Sequence, residues 1–268
     1  MKLQKSLPTK KIKFHLNILV LQRGKMQKAY KLLALQEGIS NAQAKALIDR
    51  GLVSVNGKRL NIARGELSEK SVFVIERVKK PEILFQDENL LAVEKPAFVE
   101  SYDLCEFFKD WSLLHRLDRE TSGVILLIKE GSEFHKKAKE EFKKQNVYKE
   151  YLAIINGILS EELEVNRPIL TIKKSFAKSK ISKEGLPALT FITPLQVSGK
   201  KTLIQAVIKT GRTHQIRVHC QSINHPIFGD TLYGGSNAKR LMLHAHKIKL
   251  FDYEITSKMP KVFKDLMQ

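Results

Sequence analysis

The hydrophobic rhythm of this chain changes character near residue 80. Before that point, Ala29, Leu32, Leu33 and Leu35 recur at helical spacing, which predicts a helix over Lys28 to Gln36. Gly38 interrupts the pattern, and Ser40 stands where its hydroxyl can cap a second helix running through Asp49. Gly51 ends that helix. Leu52-Val53-Ser54-Val55 then alternates as a strand entering an Asn56-Gly57 turn. From residue 82 onward strands dominate. Ile83-Leu84-Phe85 and Leu90-Leu91-Ala92-Val93 flank a polar turn and predict a hairpin. The continuous apolar run Val124 to Ile128 predicts a strand covered on both faces. Phe134 to Gln145 is rich in Lys and Glu with apolar residues at helical spacing, as in an amphipathic surface helix. Tyr151 to Ile155 and Thr202 to Lys209 predict two more strands. The fold class expected is α+β: a mixed, largely antiparallel sheet with flanking helices, preceded by a small α/β domain. The boundaries expected are 1–25 for a basic extension, 26–80 for the small domain and 81–268 for the large one, with Pro81 closing the linker.

Composition supports a globular protein and adds a partner. Hydrophobic residues make up 43% of the 268, enough for a real core. Lys and Arg number 47 against 28 Asp and Glu, a formal net charge of +19. Such an excess repels itself in a compact monomer and points to a polyanion. The charge is also uneven. Residues 1–25 carry Lys2, Lys5, Lys10, Lys11, Lys13, Arg23 and Lys25 with no acidic residue, and Met26 is an alternative start for the native protein. Lys173, Lys174, Lys178, Lys180 and Lys183 crowd a second acid-free stretch. Basic runs of this kind usually form solvated loops that touch phosphates. The two cysteines, Cys105 and Cys220, lie far apart, which argues against a zinc site or a disulfide scaffold and for a reducing cytoplasm. The apolar stretch Leu16 to Leu21 is too short to span a bilayer. No Gly-rich nucleotide loop appears, so ATP and NAD chemistry lack support. A monomer is the default expectation.

The densest chemistry lies in His115-Arg116-Leu117-Asp118-Arg119-Glu120-Thr121-Ser122-Gly123. A carboxylate set among guanidinium groups stays ionised and oriented, which suits a nucleophile or a general base. His-Arg-Leu-Asp, two residues, then Thr-Ser-Gly resembles the central motif of the RluA-type pseudouridine synthases. Three further segments resemble that family in the same order. Val93-Glu94-Lys95-Pro96-Ala97 is similar to its opening Asn-Lys-Pro segment, with Glu94 in place of asparagine and Phe98 in place of a glycine. Tyr148 to Gly157 is similar to the second motif, whose tyrosine corresponds to Tyr151. Gly211-Arg212-Thr213-His214-Gln215-Ile216-Arg217-Val218-His219, continued by His225 to Asp230 and Tyr233-Gly234, is similar to the third. Residues 26–80 resemble the small RNA-binding domain named after ribosomal protein S-four, which would offer Lys31, Lys45, Arg50 and Lys58 to phosphates.

The resemblance implies the pseudouridine synthase fold and isomerisation of uridine in RNA, without metal or organic cofactor. Large-subunit ribosomal RNA is favoured and transfer RNA stays open. Asp118 is implied as the group beside the anomeric carbon, either attacking it or removing a ribose proton to give a glycal. Tyr151 would stack on uracil. Thr213 is placed to cap a helix in which His214, Arg217 and Gln221 share one face while Ile216, Cys220 and Ile223 pack inward. A guanidinium on that face can pair with Asp118 and fix its direction. Arg212 and His219 contact phosphate or hold the helix. Arg116 either fills the space of an extruded nucleotide or braces the loop. The histidines His214, His219, His225, His244 and His246 invite a metal reading, but none forms a zinc-binding helix motif.

Overall fold

The strand predicted at Val124 to Ile128 sits in the interior of a large sheet, and every residue of Ser122–Ile128 is buried. The computed structural model describes residues 25–76, 80–173 and 177–268. These divide into two compact units, one ending at Glu76 and the other continuing to Gln268. The basic stretch before Lys25, and Lys174, lie outside the described residues.

In the first unit, helices Ala29–Glu37 and Asn41–Asp49 bury Leu32, Leu33, Ala44 and Ile48 against one another. Gly38 stops the first helix in a left-handed conformation. Ser40 and Gln43 form a reciprocal capping box at the start of the second. Strands Val53–Val55, Lys58–Arg59 and Phe73–Ile75 make a three-stranded sheet, with Asn56 and Gly57 supplying the positive φ of its hairpin turn. A short pairing of Met26–Lys28 with Glu66–Ser68 completes the unit.

The second unit is built on a ten-stranded sheet. From one edge its main path runs Leu163–Asn166, Leu189–Ser198, Lys201–Ile208, Tyr148–Asn156, Leu243–Leu250, Ser122–Ile128, Leu90–Lys95 and Glu82–Gln86. All these neighbours are antiparallel except one. Leu243–Leu250 and Ser122–Ile128 run parallel, joined at His244↔Ser122 and Ala245↔Gly123. That joint lies between two hydrophobic clusters, one containing Leu91, Ile125 and Leu127, the other Ile154, Leu203, Ile204 and Phe263. Helix Glu133–Lys144, capped by Ser132, packs Phe134, Ala138 and Phe142 on the first cluster. The fold is α+β with a mixed, mostly antiparallel sheet, as the hydrophobic pattern predicts.

One expectation is corrected here. The lysine-rich stretch after residue 169 is a two-stranded ribbon, Ile169–Lys173 with Ala177–Ile181, rather than a loop. Lys178 and Lys180 are exposed while the intervening Ser179 is buried against Tyr233. Alternation with serine conceals the strand, because small polar residues carry little β signal.

Gly123 marks the parallel joint. Its φ is +118°, and a Cβ there would meet the Ala245 carbonyl oxygen at 2.1 Å. Gly123→Ala combines backbone strain with a clash against a rigid strand, and is expected to destabilise the protein by about 2–5 kcal/mol. Urea denaturation measures it; a loss below about 1 kcal/mol would show that the strands separate easily at this joint.

Candidate active site

Asp118 is held at a fixed height by its neighbours on both sides in sequence. Upstream, the Ser101 hydroxyl accepts from the Leu117 N–H at 3.0 Å and donates to the Leu117 carbonyl at 2.8 Å. His115 accepts the Leu126 N–H at 3.1 Å and stacks on Phe142. Burial and the nearby Lys149 charge push the His115 pKa down to about 3, so it anchors the loop as a neutral ring. Downstream, the Arg119 carbonyl accepts from the Phe98 N–H at 2.7 Å and from the Lys95 ammonium at 3.1 Å. Lys95 also donates to the carbonyls of Pro96 and Val99. Burial pulls its pKa down to about 7, while three carbonyl acceptors, which only an ammonium fills, work the other way. Phe98 takes φ 71°, so the backbone keeps a conformation that favours glycine even though a buried aromatic stands there.

The cationic side of the site comes from helix Gln215–Ser222. Arg217 is nearly buried. It grips Asp230 with two bonds, Nε to Oδ2 at 2.7 Å and Nη2 to Oδ1 at 2.8 Å. Its Nη1 lies 3.7 Å from Asp118 Oδ2, and its Nη2 lies 3.6 Å from Glu120 Oε2. Burial opposes the guanidinium charge, but Asp230, Asp118 and Glu120 together raise its pKa above the ordinary value. The expected pairing of Arg217 with Asp118 is therefore present but secondary, and Asp230 is the main partner. Asp230 also accepts the N–H groups of Leu232 and Tyr233, both at 3.1 Å.

The helix start differs from expectation. Thr213 does not cap it; His214 does, in a left-handed conformation with φ 56° and without a side-chain cap. The Gln215 side chain takes over instead, accepting from the Arg212 N–H and the Thr210 hydroxyl and donating to the Leu189 carbonyl. Ile216 and Cys220 pack inward with Ile223 beside them. His214 turns out of the helix, placing Nε2 at 3.9 Å from Asp118 Oδ2 and Nδ1 at 2.9 Å from the Tyr233 hydroxyl.

These pieces enclose a cleft of about 80 Å³, lined among others by Arg116, Asp118, Tyr151, Arg212, His214 and Arg217. Asp118 is about a quarter exposed there. Tyr151 follows a bulge between Glu150 and Tyr151 and lies in register with Ala245, which in turn faces Gly123. Burial and the Asp118 charge raise the pKa of its phenol, so the ring stays neutral. Arg116 is exposed, its guanidinium 5.9 Å from the Tyr102 ring. Arg212 donates to the Pro187 carbonyl at 3.0 Å. Gln221 does not line the cleft. Lys31, Lys45, Arg50 and Lys58 belong to the first unit, where Lys45 sits over the Tyr30 ring.

Asp230, Tyr233, Glu120 and Gln215 stand inside the motifs quoted above, but their part in the site comes from the structure alone. Asp230 and Tyr233 stand in the Gly-Asp-x-x-Tyr stretch of the third motif, and the spacing that lets an Asp side chain accept the third N–H onward is a readable turn signal. The histidines scatter into separate bonds. His219 joins Thr190 and the Arg167 carbonyl, His225 the Asn156 carbonyl, His244 the hydroxyls of Ser122 and Ser257, and His246 the Ser257 carbonyl. Among the described residues, no three His, Cys, Asp or Glu side chains gather as a metal site, and no helix is long and apolar enough to cross a membrane.

The family model for RNA pseudouridylate synthase matches residues 78–222. A Helicobacter pylori protein described as an uncharacterized RNA pseudouridine synthase is 62% identical over 240 residues, covering 89% of this chain and 99% of its own. The dual-specificity RNA pseudouridine synthase RluA of Vibrio cholerae is 34% identical over 62% of this chain and 76% of its own. The chain belongs to the RluA-type RNA pseudouridine synthases. Among solved structures, human RNA pseudouridylate synthase domain containing 1 superimposes on the synthase with a TM-score of 0.59 and 26% identity, over 67% of this chain and 83% of that one. The synthase isomerises uridine in RNA, and every residue lining the cleft around Asp118 lies within the matched span except Leu243, while Asp230 and Tyr233, which support Arg217 and His214, lie beyond it.

The Arg217–Asp230 pair sets the cost of disturbing this site. Asp230→Ala leaves a buried guanidinium without its main partner and is expected to destabilise the synthase by about 3–5 kcal/mol. Glu120→Gln, which touches the same guanidinium from a partly exposed position, is expected to cost under about 1 kcal/mol. Urea melts of both variants check the contrast, and equal losses would move the anchor away from Asp230.

Proposed function

We propose that the synthase converts uridines of large-subunit ribosomal RNA to pseudouridine, with Asp118 as the group that acts on the ribose. The net reaction moves the glycosidic bond of uracil from N1 to C5 and a proton from C5 to N1. The observation that carries this reading is the sharing of one cleft by Asp118, Tyr151 and Arg217. A single anionic oxygen beside the anomeric carbon, a flat ring for the detached base and a fixed cation are the parts such a rearrangement needs. Tyr151, held as a phenol, serves by stacking on the detached base, and its hydroxyl can help move the proton from C5. Arg116 at the rim contacts the nucleotide that must leave its stack to reach Asp118. Arg212 and His214 complete the pocket wall.

Large-subunit ribosomal RNA is the favoured target because a Buchnera aphidicola relative, 32% identical over 62% of this chain and 58% of its own, is named ribosomal large subunit pseudouridine synthase C. The first unit, a helix pair closed by a small sheet and resembling the S-four type domain, acts in this proposal as a clamp. It presents Lys31, Lys45, Arg50 and Lys58 to phosphates. We place the enzyme in the cytoplasm, as a monomer working without cofactor or metal.

Asp118→Asn is expected to abolish pseudouridine formation while leaving RNA affinity nearly unchanged, and the wild type is expected to turn over in a chelator. Pseudouridine mapping of cellular RNA, with and without the gene, reads the target; marks missing from transfer RNA alone would overturn the ribosomal assignment. Activity surviving Asp118→Asn would remove that side chain from the chemistry. Replacing Lys31, Lys45, Arg50 and Lys58 by Gln in the full chain is expected to lower the salt slope of RNA binding by about 0.7–0.9 for each phosphate no longer neutralised. An unaltered slope in a fluorescence titration would leave the first unit without a role in binding.

A further inference from the structure

Tyr233 links the site to the lysine ribbon. Its hydroxyl oxygen accepts the Ser179 backbone N–H at 2.9 Å, and the same hydroxyl lies 2.9 Å from His214 Nδ1. The ring is pinned by Ile169, Ala188 and Val218 at the ribbon's root, with the Arg217 guanidinium 5.1 Å from its centroid. Because Tyr233 is buried, its own proton needs an acceptor. Among the described residues the hydroxyl has two polar partners, Ser179 N–H and His214 Nδ1, and the first is a donor. The phenol proton therefore goes to His214 Nδ1. A ring nitrogen that accepts is bare, so in a neutral imidazole the proton sits on the other nitrogen, Nε2.

We propose that Tyr233 and His214 are positioning residues, a relay from the Ser179 N–H through the Tyr233 hydroxyl that sets His214 as the Nε2–H tautomer and aims that donor at Asp118. The inference rests on Asp118 being the reacting carboxylate. His214 stays neutral at the site, since burial lowers its pKa more than the Asp118 charge raises it. A neutral donor steers a carboxylate without neutralising it as a second cation would. The 3.9 Å separation from Asp118 Oδ2 is a spacing from which such contacts close when substrate binds. The opposite Nδ1–H tautomer would turn a lone pair toward the carboxylate and repel it. The relay's outer end is the strand that carries Lys178 and Lys180.

The test uses the full chain labelled with ¹⁵N-histidine, the His214 ring signals being identified as those missing in His214→Gln. The wild type is expected to show a protonated Nε2 and a bare Nδ1, and Tyr233→Phe a mixture of tautomers. In turnover on ribosomal RNA, Tyr233→Phe is expected to lower kcat by about 10- to 100-fold, as removal of the outer partner of a metal-bound histidine does, with little change in KM. His214→Gln, whose amide nitrogen reaches the Nε2 position, is expected to retain more kcat than His214→Asn. A wild-type signal from Nδ1–H, an unaltered kcat in Tyr233→Phe, or Asn outperforming Gln would each overturn the relay. If Tyr233→Phe does not fold, the wild-type spectrum and the Gln–Asn comparison still decide. Activity in Asp118→Asn alongside an Nε2–H signal would instead sink the role of Asp118 and leave the tautomer standing.

Discussion

A guanidinium buried almost completely is the constraint around which this cleft is organised. Moving such a charge out of water costs several kcal/mol, and only close, well-directed partners offset it. Asp230 does so by accepting two parallel bonds on a carboxylate that is itself fully buried. This arrangement matters for Asp118. Had Arg217 gripped Asp118 in the same two-pronged manner, both carboxylate oxygens would be engaged and aimed away from any substrate. Giving the fork a dedicated partner leaves a single Nη1 at 3.7 Å to hold Asp118 loosely and partly exposed.

The cleft inherits its rigidity from the joint beneath it. Tyr151, Ala245 and Gly123 lie side by side across three strands, and the Asp118 loop ends where the parallel pairing begins. A buried polar chain runs along the same joint. Arg240 donates to Ser122 at 2.7 Å, Ser122 bonds His244, and His244 bonds Ser257, which donates to Glu94. Burial pushes His244 down to about 3, so the imidazole works here as a neutral two-ended connector. Burial likewise raises Glu94, against the hydrogen bond from Ser257 and the charge of Arg240. Glu94 is thus part of a satisfied network that ties the opening motif to the joint, and it lines no part of the cleft.

Elements with a strong period were legible in the sequence. The apolar run at Val124 to Ile128, the alternation at Thr202 to Lys209 and the capped helix after Ser40 all emerge within a residue or two of expectation. Where side chains override local pattern, the sequence misleads. Thr213 has the chemistry of a cap, yet the Gln215 amide reaches back to satisfy the Arg212 N–H, so His214 is free to turn toward Asp118. The ribbon is hard to read because Lys and Ser alternate where its inward contact is a hydrogen bond to a tyrosine more than fifty residues away. The sequence pairs Arg217 with Asp118 because Asp118 is the carboxylate of the most recognisable motif. Its closer partner is named by burial, which a linear pattern does not display.

The overall charge of +19 raises the question of where that excess resides. Part of it stands in the cleft wall, as Arg116 and Arg212, but around Arg217 the charges are matched. Arg217 faces Asp118, Glu120 and Asp230, and the neighbouring imidazole is neutral. Among the described residues, much of the rest sits on exposed side chains such as Lys31, Lys58, Lys178 and Lys180. That division follows from electrostatics. A strongly positive pocket would draw an RNA phosphate toward the carboxylate and occupy the space a ribose must take. Exposed lysines attract the backbone over a Debye length of about 8–10 Å, while the matched charges around Arg217 leave room for an uncharged nucleoside beside Asp118.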